Sequence, residues 1–121
     1  MDSILKTIKK LLGISEDETH FDTDLIIHIN SVFSILHQLG VGPDKSFKIE
    51  GDTETWDNFV EDDTNFNDVI TYMYLKVRLI FDPPASSAVM SAMERQISEL
   101  EWRLNVESSA KSVEETNNDE L

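Results

Sequence analysis

Apolar side chains recur at intervals of three and four residues in three long segments of this chain. The spacing is typical of amphipathic α-helices, so we predict long helices over residues 22–39, 64–81 and 86–105. In the first of these helices, Ile27 and Ile35 widen the apolar stripe, and we expect it to be buried on most sides.

The start of each long helix is predicted at a side chain that can accept a hydrogen bond from a free backbone amide. The candidates are, in order, Asp22 or Thr23, Thr64 or Asn65, and Ser86 or Ser87. The buried stripe predicted for the last helix consists of Ala88, Val89, Ala92, Met93, Ile97, Leu100 and Leu104.

Residues 2–12 predict a short helix that ends at Gly13, a common helix stop. Lys6, Lys9 and Lys10 lie away from its apolar stripe. A basic amphipathic helix can bind a membrane surface. On this acidic chain we instead expect the helix to pack on the core with its three lysines in water.

Residues 44–63 are the least regular part of the chain. The alternation in SFKIEG, residues 46–51, allows a short extended piece. Asp52 can cap the following segment, TETWDNFV, which predicts a second short helix. Its Trp56 is a candidate for the core or for an interface, and we favour the core.

An abrupt break separates the last two long helices, in the stretch VRLIFDPPASS. Asp82 precedes Pro83 and is therefore disfavoured from helical geometry. Pro84 has no amide to donate, which makes the break firm. We expect this corner to set the angle between the two helices.

Residues 106–121 are polar and acidic without helical periodicity, so we expect a flexible tail. The chain has 121 residues, which suits one domain. The predicted fold is all-α: a small helical bundle of three long and two short helices with a flexible acidic C-terminal tail. The helical domain would span residues 1–105 and the tail residues 106–121.

The charge is the most unusual property of the sequence. It has 24 acidic residues and 10 lysines and arginines, which gives a formal net charge of −14. Such a chain repels nucleic-acid phosphates and anionic membranes. It suits a basic partner, or a place where DNA must pass without adhering, although acidity also serves solubility alone. No apolar run approaches the ~20 residues that span a bilayer, and we predict no membrane partner.

Motifs for chemistry are missing from the sequence. It has no cysteine, no GxSxG elbow and no glycine-rich phosphate loop. His28 and His37 are nine residues apart, about 180° around a shared helix, so they do not predict a common metal. The acidic runs at 17–24 and 61–68 lack the glycine and final glutamate of a calcium loop. We therefore predict no catalytic residue, no metal site and no cofactor.

The candidate functional residues are instead expected at an interface. Trp102 lies two positions from the predicted buried stripe and is a candidate for a contact with a partner or neighbouring subunit. Lys76, Arg78 and Arg103 would pair either with a neighbour's carboxylates or within the chain. The full predicted interface set is Lys76, Arg78, Asp82, Pro83, Pro84, Glu99, Trp102, Arg103, Val106 and Leu121.

Three segments carry a resemblance to a known family: ILKTIKKLLGI, FKIEGDTETWDNF and YLKVRLIFDPPASSAVMSAMERQISELEWRLNV. Together they resemble the small helical head–tail connector proteins of long-tailed bacteriophages and prophages, over residues 1 to about 106. KVRLIFDPPASS and ELEWRLN are the most specific pieces. The tail after Val106 carries no recognisable match.

The resemblance implies a structural protein of the virion neck, made in the host bacterial cytoplasm. Such connectors form a ring, twelvefold in the family, under the portal protein. The ring extends the DNA channel and provides a platform for a stopper or tail-completion protein. In related connectors the C-terminal segment reaches toward the portal. DNA would pass through the ring without sequence-specific binding.

An alternative function remains open at this point. An acidic protein can mimic DNA and inhibit a basic nucleic-acid enzyme. That reading needs carboxylates on one rigid face, whereas the acids here are scattered over loops, turns and the tail. An enzyme would need a pocket with perturbed titrating groups, for which the sequence offers no constellation.

Overall fold

Five helices make up the part of the chain that the structure, a computed structural model, describes: residues 3–59 and 66–119. They are α1 (Ile4–Leu11), α2 (Asp22–Gln38), α3 (Trp56–Phe59), α4 (Phe66–Phe81) and α5 (Ser87–Asp119). The described residues form no strand, only an isolated bridge between Ser3 and Thr55. The prediction of an all-α bundle with three long and two short helices is confirmed.

Helix α4 occupies the centre of the bundle and packs against α1, α2 and α5. It buries Val69, Tyr72, Met73, Leu75 and Val77 along its length. These side chains face more than one neighbour, which is why its apolar stripe is wider than that of a surface helix. Helices α4 and α5 form an antiparallel hairpin around the corner at residues 82–86.

An aromatic cluster fills the space between α2, α3 and the loop that joins them. The Phe33 ring lies 4.9 Å from the Phe47 ring and 4.7 Å from the Phe59 ring, measured between centroids. Trp56 is buried, and its Nε1 donates a hydrogen bond to Thr7 Oγ1 at 3.1 Å. The prediction that Trp56 belongs to the core is confirmed.

The side chain of Asn30 on α2 anchors the loop between α2 and α3 with two hydrogen bonds. Asn30 Nδ2 donates to the Ile49 carbonyl at 3.0 Å, and the Ile49 amide donates to Asn30 Oδ1 at 2.8 Å. Helix α3 begins at Trp56 and not at the predicted cap Asp52, because Asn58 Oδ1 accepts the Thr55 amide at 2.9 Å and so closes the turn there.

The start of α2 also differs from the prediction. Phe21 is its N-cap residue, and no side chain accepts a hydrogen bond there, so neither Asp22 nor Thr23 caps the helix. The Phe21 ring instead packs edge-on against Phe81, at 5.2 Å between centroids. The predicted start of α4, Thr64 or Asn65, lies outside the described residues.

Helix α5 departs most from the prediction. It continues to Asp119 instead of ending near Asn105, so the predicted domain boundary at 105/106 falls inside a helix. Its buried stripe is shorter than expected, because Ala88, Val89 and Ala92 are exposed while Met93, Ile97, Leu100 and Leu104 are buried. The first turns of α5 reach past the elements that cover its middle.

Two predictions about individual side chains are wrong. Ile27 is 58% exposed, so α2 has a free side. Lys9 is buried rather than solvated, with only 2% of its side chain exposed. Its Nζ donates to the carbonyls of Glu16 and Glu18 at 3.1 and 2.6 Å and lies 2.9 Å from Asp22 Oδ1.

The ammonium thus donates two hydrogen bonds to these carbonyls, and the carboxylate of Asp22 balances its charge as an ion pair. The backbone carbonyls of the acidic loop between α1 and α2 therefore hold this loop against the end of α1. The spacing of side chains in the sequence does not predict such a contact, because it involves backbone atoms. The ion pair with Asp22 also ties the start of α2 to α1.

We expect Lys9→Met to lower the free energy of unfolding by about 3 kcal/mol, because it leaves Asp22 and two carbonyls without their buried partner. Lys10→Met is the matched control, since Lys10 is exposed, and should change stability by less than ~0.5 kcal/mol. Urea unfolding followed by circular dichroism measures both. Equal stabilities for the two variants would contradict the structural role of Lys9.

Candidate functional site

The corner between α4 and α5 is short and closed by hydrogen bonds on both sides. The Asp82 amide donates to the Arg78 carbonyl at 2.8 Å, which is the last helical bond before Pro83 and Pro84. On the other side, Ser86 Oγ accepts the Val89 amide at 3.4 Å, so Ser86 is the capping serine. Pro83 is exposed and Pro84 partly buried.

Arg103 bridges the two helices of the hairpin. Its Nη1 lies 3.2 Å from Asp68 Oδ1 on α4, and its Nη2 lies 2.8 Å from Glu99 Oε1 one turn earlier on α5. The charge of Asp68, followed by the hydrogen bond to Glu99, raises the pKa of Arg103. Of the two alternatives left open, the pairing of Arg103 within the chain is the one seen here, and a contact with a neighbour stays a prediction.

Lys76 and Arg78 are placed differently from Arg103. Arg78 Nη1 donates to the Tyr74 hydroxyl at 2.9 Å, and neither cation lies within ion-pair distance of a carboxylate among the described residues. Arg78, Tyr74 and Asp82 line a shallow cleft of about 240 Å³ together with residues 11–13 at the end of α1. The guanidinium is thus positioned at an open edge of the bundle.

Trp102 and Val106 form an apolar pair on the outer side of α5. Trp102 is 68% exposed and Val106 43% exposed. They are four residues apart, so their side chains are neighbours on one helix face. The prediction that Trp102 lies off the buried face is confirmed, and its contact with a partner stays a prediction. Leu121 lies outside the described residues.

A hydrogen bond that sequence reasoning missed fixes the middle of α5. Ser108 Oγ donates to the Gly40 carbonyl at 2.8 Å, in the turn that ends α2. Gly40 has a φ of +84°, and a Cβ there would collide with the Ser108 side chain. Ser108 therefore belongs to the folded body, although it lies beyond the predicted boundary at residue 105.

Tyr72 is a second residue that the sequence did not single out. It is completely buried between α4 and α5, and its hydroxyl has no hydrogen-bond partner in the part of the chain that the structure describes. Burial, together with the negative charge of Glu101, raises the pKa of this hydroxyl above its ordinary value of 10.0. Its helical spacing marked only a core position, and no sequence signal distinguishes a paired from an unpaired hydroxyl.

The described residues contain no group of three or more histidines and acids that could hold a metal ion. The acidic run at 61–68 lies partly outside those residues. Within the same ranges, no helix is long and apolar enough to cross a membrane.

A sequence profile of the family described as phage connector protein matches residues 4–111. The match includes all of α1 to α4, and it ends inside α5, past the Ser108 contact. Searches among curated proteins and among solved structures found no match.

We expect Tyr72→Phe to keep or raise stability, by up to ~1 kcal/mol, because it removes a buried hydroxyl without a partner. The raised pKa means that folding favours the protonated hydroxyl. The contribution of the protonated Tyr72 hydroxyl to the stability of the fold is therefore present below about pH 10, and it is lost as the pH rises further. Loss of stability above pH 10 should therefore be smaller in the variant.

Urea unfolding at pH 7 and pH 11 measures both effects. Tyr74→Phe is the control, because it removes a tyrosine hydroxyl that does have a hydrogen-bond partner: the Tyr74 hydroxyl accepts a hydrogen bond from Arg78. A large loss of stability for Tyr72→Phe at pH 7 would show that its hydroxyl is hydrogen-bonded in solution.

Proposed function

The chain belongs to the phage connector protein family, and from this premise we propose that it forms a ring below the portal in the virion neck. The ring would extend the DNA channel and provide a platform for a stopper or tail-completion protein. The observation that carries the proposal is the family match, which covers nearly all of the described fold. In this proposal the chain is made in the host bacterial cytoplasm and acts as a structural protein rather than as an enzyme.

The charge supports a channel role. A net charge of −14 per subunit, repeated around a ring, gives a wall that repels phosphates. DNA that passes through such a wall makes few of the lysine and arginine contacts that release counterions and hold it in place.

The length of α5 supports docking at one end of the subunit. Leu104 is the last buried apolar residue among those whose side chains are described, up to residue 109, and the helix continues for fifteen residues, from Asn105 to Asp119. At 1.5 Å per residue this extension is about 22 Å long. We propose that the part beyond the Ser108 contact reaches the portal.

The alternative of a DNA mimic gains no support from the structure. A mimic needs its carboxylates on one face, but exposed acids occur in separate loops and on separate helices of the described chain. They include Glu16, Asp17, Asp24, Asp44, Glu50, Asp52, Asp57, Glu94 and Glu107.

We expect the full chain to co-sediment with the portal ring of the same phage, and a chain ending at Ser109 to bind at least tenfold more weakly. This truncation keeps the Ser108 bond to Gly40, so the folded body stays intact. Binding of both chains would keep the connector role and move the docking site into the helical body. Failure of the full chain to bind a competent portal would contradict the proposed function.

The corner at residues 82–84 gives a separate test of ring geometry. We expect Pro83→Ala combined with Pro84→Ala to reduce ring formation on the portal, because the hinge gains conformational freedom in every subunit. The free energy of unfolding should fall by no more than ~2 kcal/mol. Electron microscopy of portal complexes measures ring completeness, and circular dichroism measures helicity. Complete rings with unchanged helicity would show that the prolines have no such role.

A further inference from the structure

The shallow cleft at the end of α1 holds two opposite charges that are not paired with each other. Arg78 and Asp82 both line it, yet no ion pair joins them, and Arg78 Nη1 donates instead to the Tyr74 hydroxyl at 2.9 Å. Neither charged side chain forms an ion pair elsewhere in the part of the chain that the structure describes. The cleft therefore presents a cation and an anion that a ligand can contact separately.

The three polar side chains of the cleft lie along one line of α4. Tyr74, Arg78 and Asp82 follow each other at intervals of four residues, and the Asp82 amide still donates to the Arg78 carbonyl at 2.8 Å. Side chains at this spacing are neighbours on a helix surface. A cation that precedes an acid by four residues is the less favourable order for an ion pair within a helix. This order helps to keep both charges available to a ligand.

Arg78 favours a carboxylate as the anionic group of the ligand. A guanidinium matches the two oxygens of a carboxylate in a planar, bidentate arrangement. Tyr74 holds the guanidinium from one side, and the proton of its hydroxyl remains to be donated to the same carboxylate. A phosphate group carries more negative charge than one guanidinium balances, and Asp82 lies in the same cleft.

Asp82 and the end of α1 define the rest of the ligand. A carboxylate bound to Arg78 would face the negative charge of Asp82 unless the ligand also carried a cation, so an ammonium completes the charge balance. Leu11 and Leu12 form the apolar wall of the cleft. Gly13 ends the wall with a φ of +80°, and a Cβ there would meet no heavy atom within 4 Å, so the cleft is open on this side.

The size of the cleft limits the ligand to a small molecule. Its volume of about 240 Å³ is below the ~300–1,000 Å³ of pockets that enclose cofactors and drug-sized ligands. We propose that the cleft binds a free apolar α-amino acid. The carboxylate of this zwitterion would contact Arg78, its ammonium would contact Asp82, and its side chain would pack against Leu11 and Leu12. The inference goes beyond the proposed function and does not depend on it, because a single subunit supplies the whole cleft.

Titration of the full chain with L-leucine, followed by amide NMR spectra, tests the proposal. We expect saturable shifts confined to residues 11–13 and 74–82, with a Kd of about 1 mM for so small a ligand. Arg78→Gln should weaken binding by about tenfold or more, because it removes a hydrogen-bonded ion pair with the carboxylate. Lys76→Gln is the matched control, since it removes a cation from the same helix outside the cleft, and it should leave the Kd unchanged.

Two analogues of leucine test the role of the ammonium. Isocaproate lacks this group, and N-acetyl-leucine replaces it with a neutral amide, so both should bind more weakly than leucine. Asp82→Asn should weaken the binding of leucine. The same substitution should leave the binding of isocaproate unchanged or improve it, because it removes a negative charge near the bound carboxylate.

The absence of saturable shifts, or shifts at residues away from the cleft, would overturn the proposal. Binding of N-acetyl-leucine as tight as that of leucine would also overturn it and would assign the cleft to the carboxyl end of a peptide. If Arg78→Gln loses helicity by circular dichroism, Arg78→Lys takes its place. Lysine keeps the charge but lacks the planar fork, so leucine should still bind more weakly, and unchanged binding would contradict the role of Arg78.

Discussion

The fold depends on the packing of α4 against α1, α2 and α5 at the same time. Each of these neighbours buries an apolar face on α4, so this helix closes the core on more than one side. Close packing of this kind tolerates little change in volume or in helix position. The direction of α5, and with it the position of every residue proposed for assembly, is therefore set by its contact with α4 and by the corner at residues 82–86.

The acidity of the chain shapes how this body is held together. With few cations available, those that are buried or paired join separate elements: Lys9 joins α1, the following loop and the start of α2, and Arg103 joins α5 to α4. Arg103 is 43% exposed, so its pairs are screened and contribute little to stability. Lys9 is buried, so its pairing is a condition for folding in this way rather than an optional contact.

Helical periodicity predicted the number, type and order of the helices, because apolar faces must be buried whatever the details of packing. It also placed Trp56 inside and Trp102 outside. It did not predict the burial of Lys9, since backbone carbonyls of a loop leave no trace in the side-chain pattern. It overestimated the buried stripe of α5, because the pattern records which face is apolar and not how far a neighbour extends along it.

The length of α5 is a second feature that the apolar pattern did not predict. Residues after Leu104 lack an apolar stripe, which favoured a flexible tail, yet the helix continues to Asp119. A helix with an apolar inner face at its start, a covered middle and a polar end presents different chemistry at each end of the subunit. The proposed ring of identical subunits would need such a difference, since two unlike surfaces are what separate a head-to-tail contact from a symmetric pair.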